Sequence, residues 1–479
     1  MKKNDVLELS IIKYAFEGKG IAKIHRETNP PAEIKEENFV VFVQGAYPGD
    51  VVKAKIRKVK KNYAEAQLLE VLVASEKRIK PECKYFGVCG GCKQQDLDYK
   101  FQTEYKYLQV EEIFRKLGGL TNFTMEMILQ SDKKYFYRNK MEFSFADKRW
   151  LTNEEISSEI KIENDFALGL HIPGLYDKVL DINECLLQSE VSNAILNLTR
   201  DFFKSRNLSI YTTKTHSGYL RNLIVKQSSH TNDLMVNIVT STYNKELIKE
   251  YSENLLNNFP TITTIVNNIS AKKALIALGD YEEVVYGNGY IHDTIGNFKF
   301  RISANSFFQT NTLQAEKLYN IALEFAALNQ DEIVYDLYSG TGTISIFISK
   351  SAKQVYGFEV VDSSVHDANV NKEINGISNV EFYQADLYKT FLPVVEENKI
   401  PKPDVVIVDP PRSGMHTNTI SDVITLSPRK IVYVSCNPTT QVRDINLFVK
   451  SGYKLVRVKP VDMFPQTHHV ENVAELIKE

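Results

Sequence analysis

The chain has 479 residues, and its 58 Lys and Arg nearly balance its 60 Asp and Glu, which gives a formal net charge of −2. This length exceeds what one hydrophobic core usually organises and predicts about three domains. The near-neutral charge excludes a protein that holds nucleic acid through an overall basic excess, so any such binding must use local patches.

The sequence shows no feature of a membrane protein or a secreted protein. No apolar signal segment follows Met1, and no apolar run reaches the ~18 residues that a membrane span needs. Five cysteines are too few for a disulfide scaffold in a chain this long. We therefore expect a soluble cytoplasmic protein whose clustered thiols bind metal or perform chemistry.

Residues 1–73 read as short strands separated by turn residues, which predicts a small β-barrel domain. Over residues 52–57 apolar side chains alternate with cations, so one face of a strand points inward and the other is basic. The predicted basic stripe comprises Lys53, Lys55, Arg57, Lys58, Lys60 and Lys61. A lysine-rich edge strand that only keeps the protein soluble explains the pattern equally simply.

A cysteine-bearing segment opens the second predicted domain, residues 74–285. Cys83, Cys89 and Cys92 lie in one glycine-rich loop, and Cys185 is the only other cysteine if Cys436 is assigned to chemistry. Four thiolates fit either a tetrahedral zinc ion or an iron-sulfur cluster, and the spacing does not choose between them. A helix over residues 101–117, closed by two glycines, follows the loop and is expected to pack on the third domain.

The rest of this domain reads mostly as strands, from residue 135 to 285, with an acidic exposed loop at residues 151–165. Two segments, residues 135–140 and 219–222, interleave aromatic and basic side chains. Such segments suit stacking on unpaired bases with phosphate contacts. Core aromatics with solvated flanking charges are an equally good explanation.

From residue 286 onward strands alternate with helices, which predicts a mostly parallel sheet covered on both faces. The predicted strands are residues 332–336, 355–359, 380–383, 405–409 and 431–435. In such sheets ligands bind at the carboxyl ends of the strands.

The first of these strands leads into a glycine loop containing Tyr338 and Gly340, and then into a helix over residues 344–350. Ser345 stands where a dinucleotide-binding fingerprint would have its third glycine. Glu359 ends the next strand and could accept hydrogen bonds from two ribose hydroxyls, and Asp386 follows the third and could meet an adenine amino group. This set favours an adenosine ligand without a phosphate site over ordinary surface acids.

The fourth strand ends at Asp409 before a rigid Pro-Pro-Arg turn, and the fifth ends just before Cys436. Taken alone, a cysteine at the end of a strand is more often a small buried apolar residue than a functional one. C5 of uracil, however, becomes nucleophilic only after a thiolate adds at C6, and a base must then remove the C5 proton. Glu471 is the candidate base, with His468 and His469 as alternatives.

The motifs Asp-Pro-Pro-Arg, Ser-Cys-Asn-Pro and Phe-Pro-Gln-Thr-His-His-Val-Glu resemble those of the bacterial RNA (uracil-5-)-methyltransferases, most closely the 23S ribosomal RNA (RumA/RlmD) type. The resemblance spans essentially the whole chain. It implies that Cys436 is the nucleophile and Glu471 the base. Two departures are Ser339, where cysteine is common, and Gln466, where histidine is frequent.

The resemblance also implies the cofactors. Contacts to S-adenosylmethionine fall on Gln309, Tyr338, Gly340, Glu359 and Asp409, and more weakly on Asp386. A [4Fe-4S] cluster falls on Cys83, Cys89, Cys92 and Cys185. The expected fold is α/β: a Rossmann-like methyltransferase domain at 286–479, an OB-like TRAM barrel at 1–73, and a mostly-β central domain with the cluster.

The expected substrate is 23S ribosomal RNA, bound by a monomer without a membrane partner. The same reaction on transfer RNA is the main alternative, although enzymes of that kind typically lack both the TRAM-like domain and the cysteine cluster. Radical methylthiotransferases combine the same two features but need Cys-x3-Cys-x2-Cys, which is absent here. A non-catalytic iron-sulfur RNA-binding protein would not need Cys436, Glu471 and the glycine loop together.

Overall fold

The structure is a computed structural model that describes residues 1–25, 38–158, 163–274 and 279–479. Three larger sheets follow one another along these residues, and a two-stranded hairpin lies between the second and the third. None of the helices in the described ranges is both long and apolar enough to cross a bilayer.

The N-terminal sheet has the strand order β1-β5-β6-β4-β3-β2 and is antiparallel except between β4 and β6. Its strands are β1 (Val6–Ser10), β2 (Lys13–Ala15), β3 (Lys19–His25), β4 (Asn38–Gln44), β5 (Val51–Val59) and β6 (Tyr63–Val73). Along β5, Val52, Ala54 and Ile56 are fully buried, whereas Lys53 and Arg57 are exposed. The predicted alternation is confirmed; residues 26–37 of the predicted barrel lie outside the described residues.

The predicted helix after the cysteine loop is α1 (Tyr99–Glu112), continued by a π-helical turn at Ile113–Leu117. It begins two residues earlier than predicted because the Asp98 side chain accepts a hydrogen bond from the Lys100 amide and caps the helix. Val110 and Phe114 pack into the same core as Tyr433. This helix therefore lies on the last sheet of the molecule.

The central sheet has the order β10-β9-β8-β11-β12-β13-β14. Its elements are β8 (Lys140–Ala146), α2 (Asn153–Ser157), β9 (Ala167–Ile172), β10 (Leu175–Asp181), α3 (Glu190–Lys204), β11 (Leu220–Gln227), β12 (Leu234–Thr240), α4 (Lys245–Asn258), β13 (Thr264–Ile269) and β14 (Tyr281–Tyr286); the short β7 (Thr124–Met125) precedes them and joins the last sheet.

Two long helices in this region were not predicted, since residues 135–285 were expected to form mostly strands. The helix α3 is capped by Ser189 and buries Ile195, Leu196 and Phe203 against the sheet, and α4 packs into the same core. The predicted acidic loop also contains α2, which has a capping box formed by Thr152 and Glu155. Residues 159–162 of that loop lie outside the described residues.

The last sheet has the order β19-β18-β17-β20-β21-β23-β22-β7, with β17 to β21 parallel and β23 antiparallel to both neighbours. After the hairpin β15 (Tyr290–Ile295) and β16 (Phe298–Ser303), the elements are α5 (Thr312–Ala326), β17 (Ile333–Leu337), α6 (Thr343–Ile348), β18 (Gln354–Glu359), α7 (Asp362–Ile374), β19 (Val380–Gln384), α8 (Leu392–Glu397), β20 (Val405–Val408), α9 (Thr417–Leu426), β21 (Lys430–Ser435), α10 (Pro438–Lys450), β22 (Tyr453–Val461) and β23 (Glu471–Lys478).

All five predicted strands of this sheet are present, each end within one residue of its predicted position. Buried clusters cover both faces of the sheet, as expected for an α/β fold with helices on each side. The strand order reverses between β17 and β20. Such a reversal opens a crevice at the carboxyl ends of the two strands, where ligands bind.

Candidate active site

A cavity of about 370 Å³ lies at this crevice, at the ends of β17, β18 and β20. It is lined by five of the six residues that were predicted to bind the methyl donor: Gln309, Tyr338, Gly340, Glu359 and Asp409. Phe307, Phe308, Tyr319 and Tyr388 also line it, and sequence reasoning did not select them. The cavity is therefore largely apolar, with a few placed polar groups, as is usual for a small-molecule site.

The glycine loop closes one wall of the cavity. Tyr338 has φ of 68°, an unusual value for an aromatic residue, and Gly342 has φ of 78°. A Cβ on Gly342 would lie 2.5 Å from the Phe382 ring, so only glycine fits. Ser345 donates to the buried Asp336 carboxylate through its backbone amide (3.0 Å) and its hydroxyl (2.5 Å). Ser345, which stands where the fingerprint would have its third glycine, thus ties α6 to β17 on either side of the loop.

Glu359 is fixed by the backbone around it. Its Oε2 accepts from the Gly340 amide at 3.0 Å, and its Oε1 accepts from the amides of Val360 and Val361, both at 2.9 Å. A carboxylate offers about four acceptor positions, so one remains for a ribose hydroxyl. The geometry suits a ribose contact by Glu359, through one hydroxyl rather than the two that were predicted.

Asp386 is not among the residues that line the cavity. Its carboxylate accepts from the Tyr388 amide at 3.0 Å and pairs with Lys389 at 3.2 Å. The next residues along the chain, Leu387 and Tyr388, reach the cavity instead. The structure therefore does not bring Asp386 together with the other five predicted residues.

The strand pairing between β21 and β23 brings Cys436 and Glu471 together. Asn472 lies opposite Ser435 in this antiparallel pair, so the next residue outward on each strand is Cys436 or Glu471. Asp409 follows β20, the neighbour of β21 on its other side. The thiol and two carboxylates therefore meet at one sheet edge, beside the donor cavity.

Burial controls the ionisation of these three groups. It raises the pKa of the Cys436 thiol to about 11, and the nearby carboxylates of Glu471 and Asp409 add to the effect. Burial also raises the pKa of Asp409 to about 7 and the pKa of Glu471 well above its ordinary value. A carboxyl with a raised pKa is a stronger base than an exposed one once it is ionised.

Arg412 is the cation that opposes this negative charge. Its guanidinium lowers the pKa of both Cys436 and Glu471. A hydrogen bond joins Arg412 to Nδ1 of His469 at 3.2 Å. The sequence identified this arginine only as part of a rigid turn, although its place after Asp-Pro-Pro at a strand end could have suggested the role.

The alternative bases are neutral and weak. Burial lowers the pKa of His468 to about 4 and that of His469 to about 3, and nearby cations act in the same direction. An imidazole with so low a pKa holds a removed proton poorly at neutral pH. The electrostatics therefore favour Glu471 over both histidines as the candidate base.

The remaining four cysteines line a second cavity of about 370 Å³, on the central sheet. The Gly91 amide donates to the Cys89 sulfur at 3.4 Å, and burial raises the pKa of all four thiols. An N–H donor of this kind stabilises a thiolate ligand. No group of three His, Cys, Asp or Glu residues in the described ranges is arranged to hold a metal ion.

One of the two aromatic and basic segments is structural. Arg221 is 0% exposed and donates to the carbonyl oxygens of Ser270, Lys272 and Ala274, and Asn222 is also buried. In the other segment Tyr137 is buried, whereas Phe136 is about half exposed. The core explanation is therefore correct for Arg221 and Asn222, and the exposed Phe136 is well placed for stacking on a base.

Comparison with known families gives two matches. The model described as tRNA (Uracil-5-)-methyltransferase matches residues 227–479, and the TRAM domain model matches residues 2–69. The second match lies in the part of the chain that was predicted to be a TRAM-like barrel.

Similar proteins extend over the whole chain. An uncharacterized RNA methyltransferase from Chlorobaculum tepidum is 43% identical, and the match covers 99% of this chain and 96% of the relative. One from Bacteroides thetaiotaomicron is also 43% identical, with 96% and 99% covered. The solved tRNA (uracil-54, C5)-methyltransferase of Pyrococcus abyssi, in complex with S-adenosyl-L-homocysteine, has a TM-score of 0.74 at 26% identity, with 98% and 100% covered.

The chain therefore belongs to the tRNA (uracil-5-)-methyltransferase family. It is an S-adenosylmethionine-dependent RNA methyltransferase that acts on C5 of uracil, with an α/β methyltransferase fold and an N-terminal TRAM domain. These parts of the prediction are confirmed.

Proposed function

We propose that this enzyme methylates C5 of a uridine in 23S ribosomal RNA, with Cys436 as covalent nucleophile and Glu471 as general base. The observation that supports these roles most strongly is the β21–β23 pairing, which puts the thiol next to the carboxylate and beside the donor cavity. Because the fold already holds these groups close together, little entropy is lost in bringing them together for the reaction.

The proposed reaction starts with the thiol. Cys436, ionised with help from the Arg412 guanidinium, adds its sulfur to C6 of the uracil, and C5 becomes nucleophilic. Bound S-adenosylmethionine would supply an electrophilic methyl group to C5 and leave as S-adenosylhomocysteine. Glu471 then removes the proton from C5, the C5–C6 double bond re-forms, and Cys436 leaves as the thiolate. Glu359, through its ribose contact, and Gln309 hold the donor in the cavity.

Transfer RNA is the second candidate substrate, and one comparison favours it. The Pyrococcus abyssi enzyme is a tRNA methyltransferase by its description, and it matches 98% of this chain. The match includes the TRAM domain and the cysteine segment, so their presence alone does not separate the two RNAs. The preference for 23S ribosomal RNA rests on the motif resemblance across the whole chain.

Mapping 5-methyluridine by mass spectrometry in both RNAs, from cells with and without this protein, decides between them. We expect one or more 5-methyluridines to disappear from 23S ribosomal RNA and to return when the gene is restored. A loss confined to transfer RNA would show that the substrate assignment is wrong while leaving the chemistry intact.

We also propose that Cys83, Cys89, Cys92 and Cys185 hold a [4Fe-4S] cluster. The support is a shared cavity, far larger than a single ion and lined by all four cysteines, and the Gly91 amide that donates to the Cys89 sulfur. Methyl transfer moves no electrons, so the cluster would organise structure. Anaerobically purified protein should contain four iron and four sulfide per chain with visible absorbance; one zinc and no sulfide would contradict the proposal.

Replacing Glu359 with Ala should weaken binding of S-adenosylhomocysteine about 10- to 100-fold, the worth of hydrogen bonds to a charged group. Isothermal titration measures this directly. Glu381→Ala, which removes an exposed carboxylate on the neighbouring strand, is the matched control and should bind like the wild type. Asp386→Ala should have a much smaller effect than Glu359→Ala, because its side chain does not line the cavity.

The pH dependence of Cys436 alkylation reports its surroundings. With a pKa of about 11 the thiolate fraction, and hence the iodoacetamide rate, should rise throughout pH 7 to 10 without a plateau. Glu471→Gln removes a charge that raises this pKa, so Cys436 should react faster at pH 8; Arg412→Met removes a charge that lowers it, so the reaction should slow. Peptide mass spectrometry measures each rate, and identical rates in all three proteins would contradict the electrostatics.

A further inference from the structure

We propose that the buried polar face of α1 and the two amides that follow Cys92 form a clamp that positions Glu471. The clamp acts on residues 462–470, here called the base loop, which connect β22 to β23. This inference rests on the proposed role of Glu471 and assigns positioning residues to the same reaction.

The face of α1 that meets the base loop is polar. Tyr99, Gln102 and Lys106 are spaced three and four residues apart, so they share one side of the helix. They are 8%, 1% and 0% exposed. A helix that packs only for stability buries an apolar stripe, because buried polar groups cost free energy unless they are paired. Here each of the three polar side chains is paired with a group of the base loop.

Two of these residues hold the start of the loop. The Lys106 ammonium pairs with Asp462 Oδ1 at 2.6 Å and also donates to the Phe464 carbonyl oxygen at 3.2 Å. The Tyr99 hydroxyl donates to the other oxygen of Asp462 at 2.9 Å. Lys106 and Asp462 are both fully buried, so water does not compete for this ion pair.

Gln466 is the centre of the clamp. Its backbone amide donates to Oε1 of Gln102 at 3.0 Å. Nε2 of Gln102 shares its two protons among Oε1 of Gln466 at 3.0 Å and the carbonyl oxygens of Gln94 and Leu97 at 2.9 and 2.8 Å. Its carbonyl oxygen accepts from the amides of Lys93 and Gln94, at 2.8 and 3.0 Å. These four hydrogen bonds hold a buried residue at φ of 68°, a value that a residue with a side chain rarely adopts.

The arrangement uses the side chain that departs from the motif. Histidine is frequent at position 466 in the family motif. Gln466 contributes to the pair its backbone N–H, which any residue except proline supplies, and its side-chain oxygen Oε1 as acceptor.

The constraint reaches Glu471 through a short braced segment. The Thr467 hydroxyl donates to the Phe464 carbonyl oxygen at 2.7 Å, and the His469 amide donates to the Thr467 hydroxyl oxygen at 3.2 Å. Val470 is buried and leads directly into β23 at Glu471. Fixing Gln466 thus fixes the path of the chain into the candidate base.

The test uses a substitution that keeps the shape of Gln102 and removes its hydrogen bonds, Gln102→Met. A misplaced base slows proton removal but spares thiol addition and methyl transfer. Turnover on ordinary uridine RNA should fall about 10- to 100-fold, since small misplacements of a catalytic group have effects of this size. The fraction of enzyme in a denaturant-resistant RNA adduct should rise at least fivefold, with affinity for S-adenosylhomocysteine unchanged.

Gln109→Met is the matched control. Gln109 is equally buried on the same helix, but neither polar atom of its side chain has a hydrogen-bond partner within the described residues. This variant should turn over like the wild type and accumulate no adduct. Gln466→Gly keeps the positive φ and all three backbone hydrogen bonds of this residue, so it folds without strain and should accumulate adduct to a smaller extent than Gln102→Met.

Three outcomes would overturn the clamp: Gln102→Met and Gln466→Gly both behave like the wild type, adduct formation and turnover fall in equal proportion in both, or Gln109→Met accumulates adduct as strongly as Gln102→Met. If Cys436→Ala still methylates RNA, the proposed function fails instead. The two failures are therefore distinguishable.

Discussion

Cys436→Ala is expected to abolish uracil methylation, with a loss of about 10⁶-fold, the size seen when a nucleophile is removed from a covalent mechanism. Without a thiol at this position nothing activates C5, and neither carboxylate at the sheet edge can replace it. The measurement is transfer of a radioactive methyl group to ribosomal RNA under multiple and single turnover.

The control for this variant is donor binding. Cys436 does not line the donor cavity, so affinity for S-adenosylhomocysteine and the melting temperature should stay at wild-type values. Full activity in Cys436→Ala would remove the nucleophile assignment. Loss of activity together with loss of donor binding would instead indicate a damaged fold.

Glu471→Gln is expected to allow methyl transfer but to block release of the methylated RNA from Cys436. Losing a general base costs about 10²- to 10⁴-fold in turnover. Thiol addition and methyl transfer precede the step that needs the base, so the variant should hold methylated RNA covalently on Cys436. Gel electrophoresis under denaturing conditions, with a label in the methyl group, measures the adduct.

A matched variant makes this result specific. His469→Gln alters a half-buried side chain, two residues from Glu471, that contacts Arg412, without removing the candidate base. It should release methylated RNA and trap little adduct. If His469→Gln traps the adduct and Glu471→Gln turns over normally, the base has been assigned to the wrong residue.

Local sequence was sufficient for the parallel strands and, in the donor cavity, for the glycine loop and Glu359. Each strand is a short run followed within three residues by a glycine, an acid or a proline, and the carboxyl ends of parallel strands meet at one edge whatever their order. Gln309, Tyr338 and Asp409 were assigned to the donor only through the family resemblance. Asp386 illustrates the limit: being near a strand end does not decide whether a side chain or its neighbour points into a cavity.

The contacts that could not be predicted depend on register and on distant packing. The meeting of Cys436 with Glu471 follows from an antiparallel strand that returns to the sheet after another strand has been added, and no local pattern specifies this. The helix α1 lacks an apolar stripe because its partners are polar groups more than 350 residues away in sequence. The two helices on the central sheet were missed because the region was interpreted by its dominant strands.

The central claim is that Cys436 bonds to uracil C6 during methylation, and trapping with 5-fluorouridine tests it most directly. Fluorine at C5 leaves no proton for Glu471 to remove, so the reaction should stop as a methylated covalent complex. Digestion and mass spectrometry should find the nucleotide, with its methyl group and fluorine, on the peptide that contains Cys436. Methylation of ordinary RNA without a trapped complex, or a complex on another residue, would contradict the account.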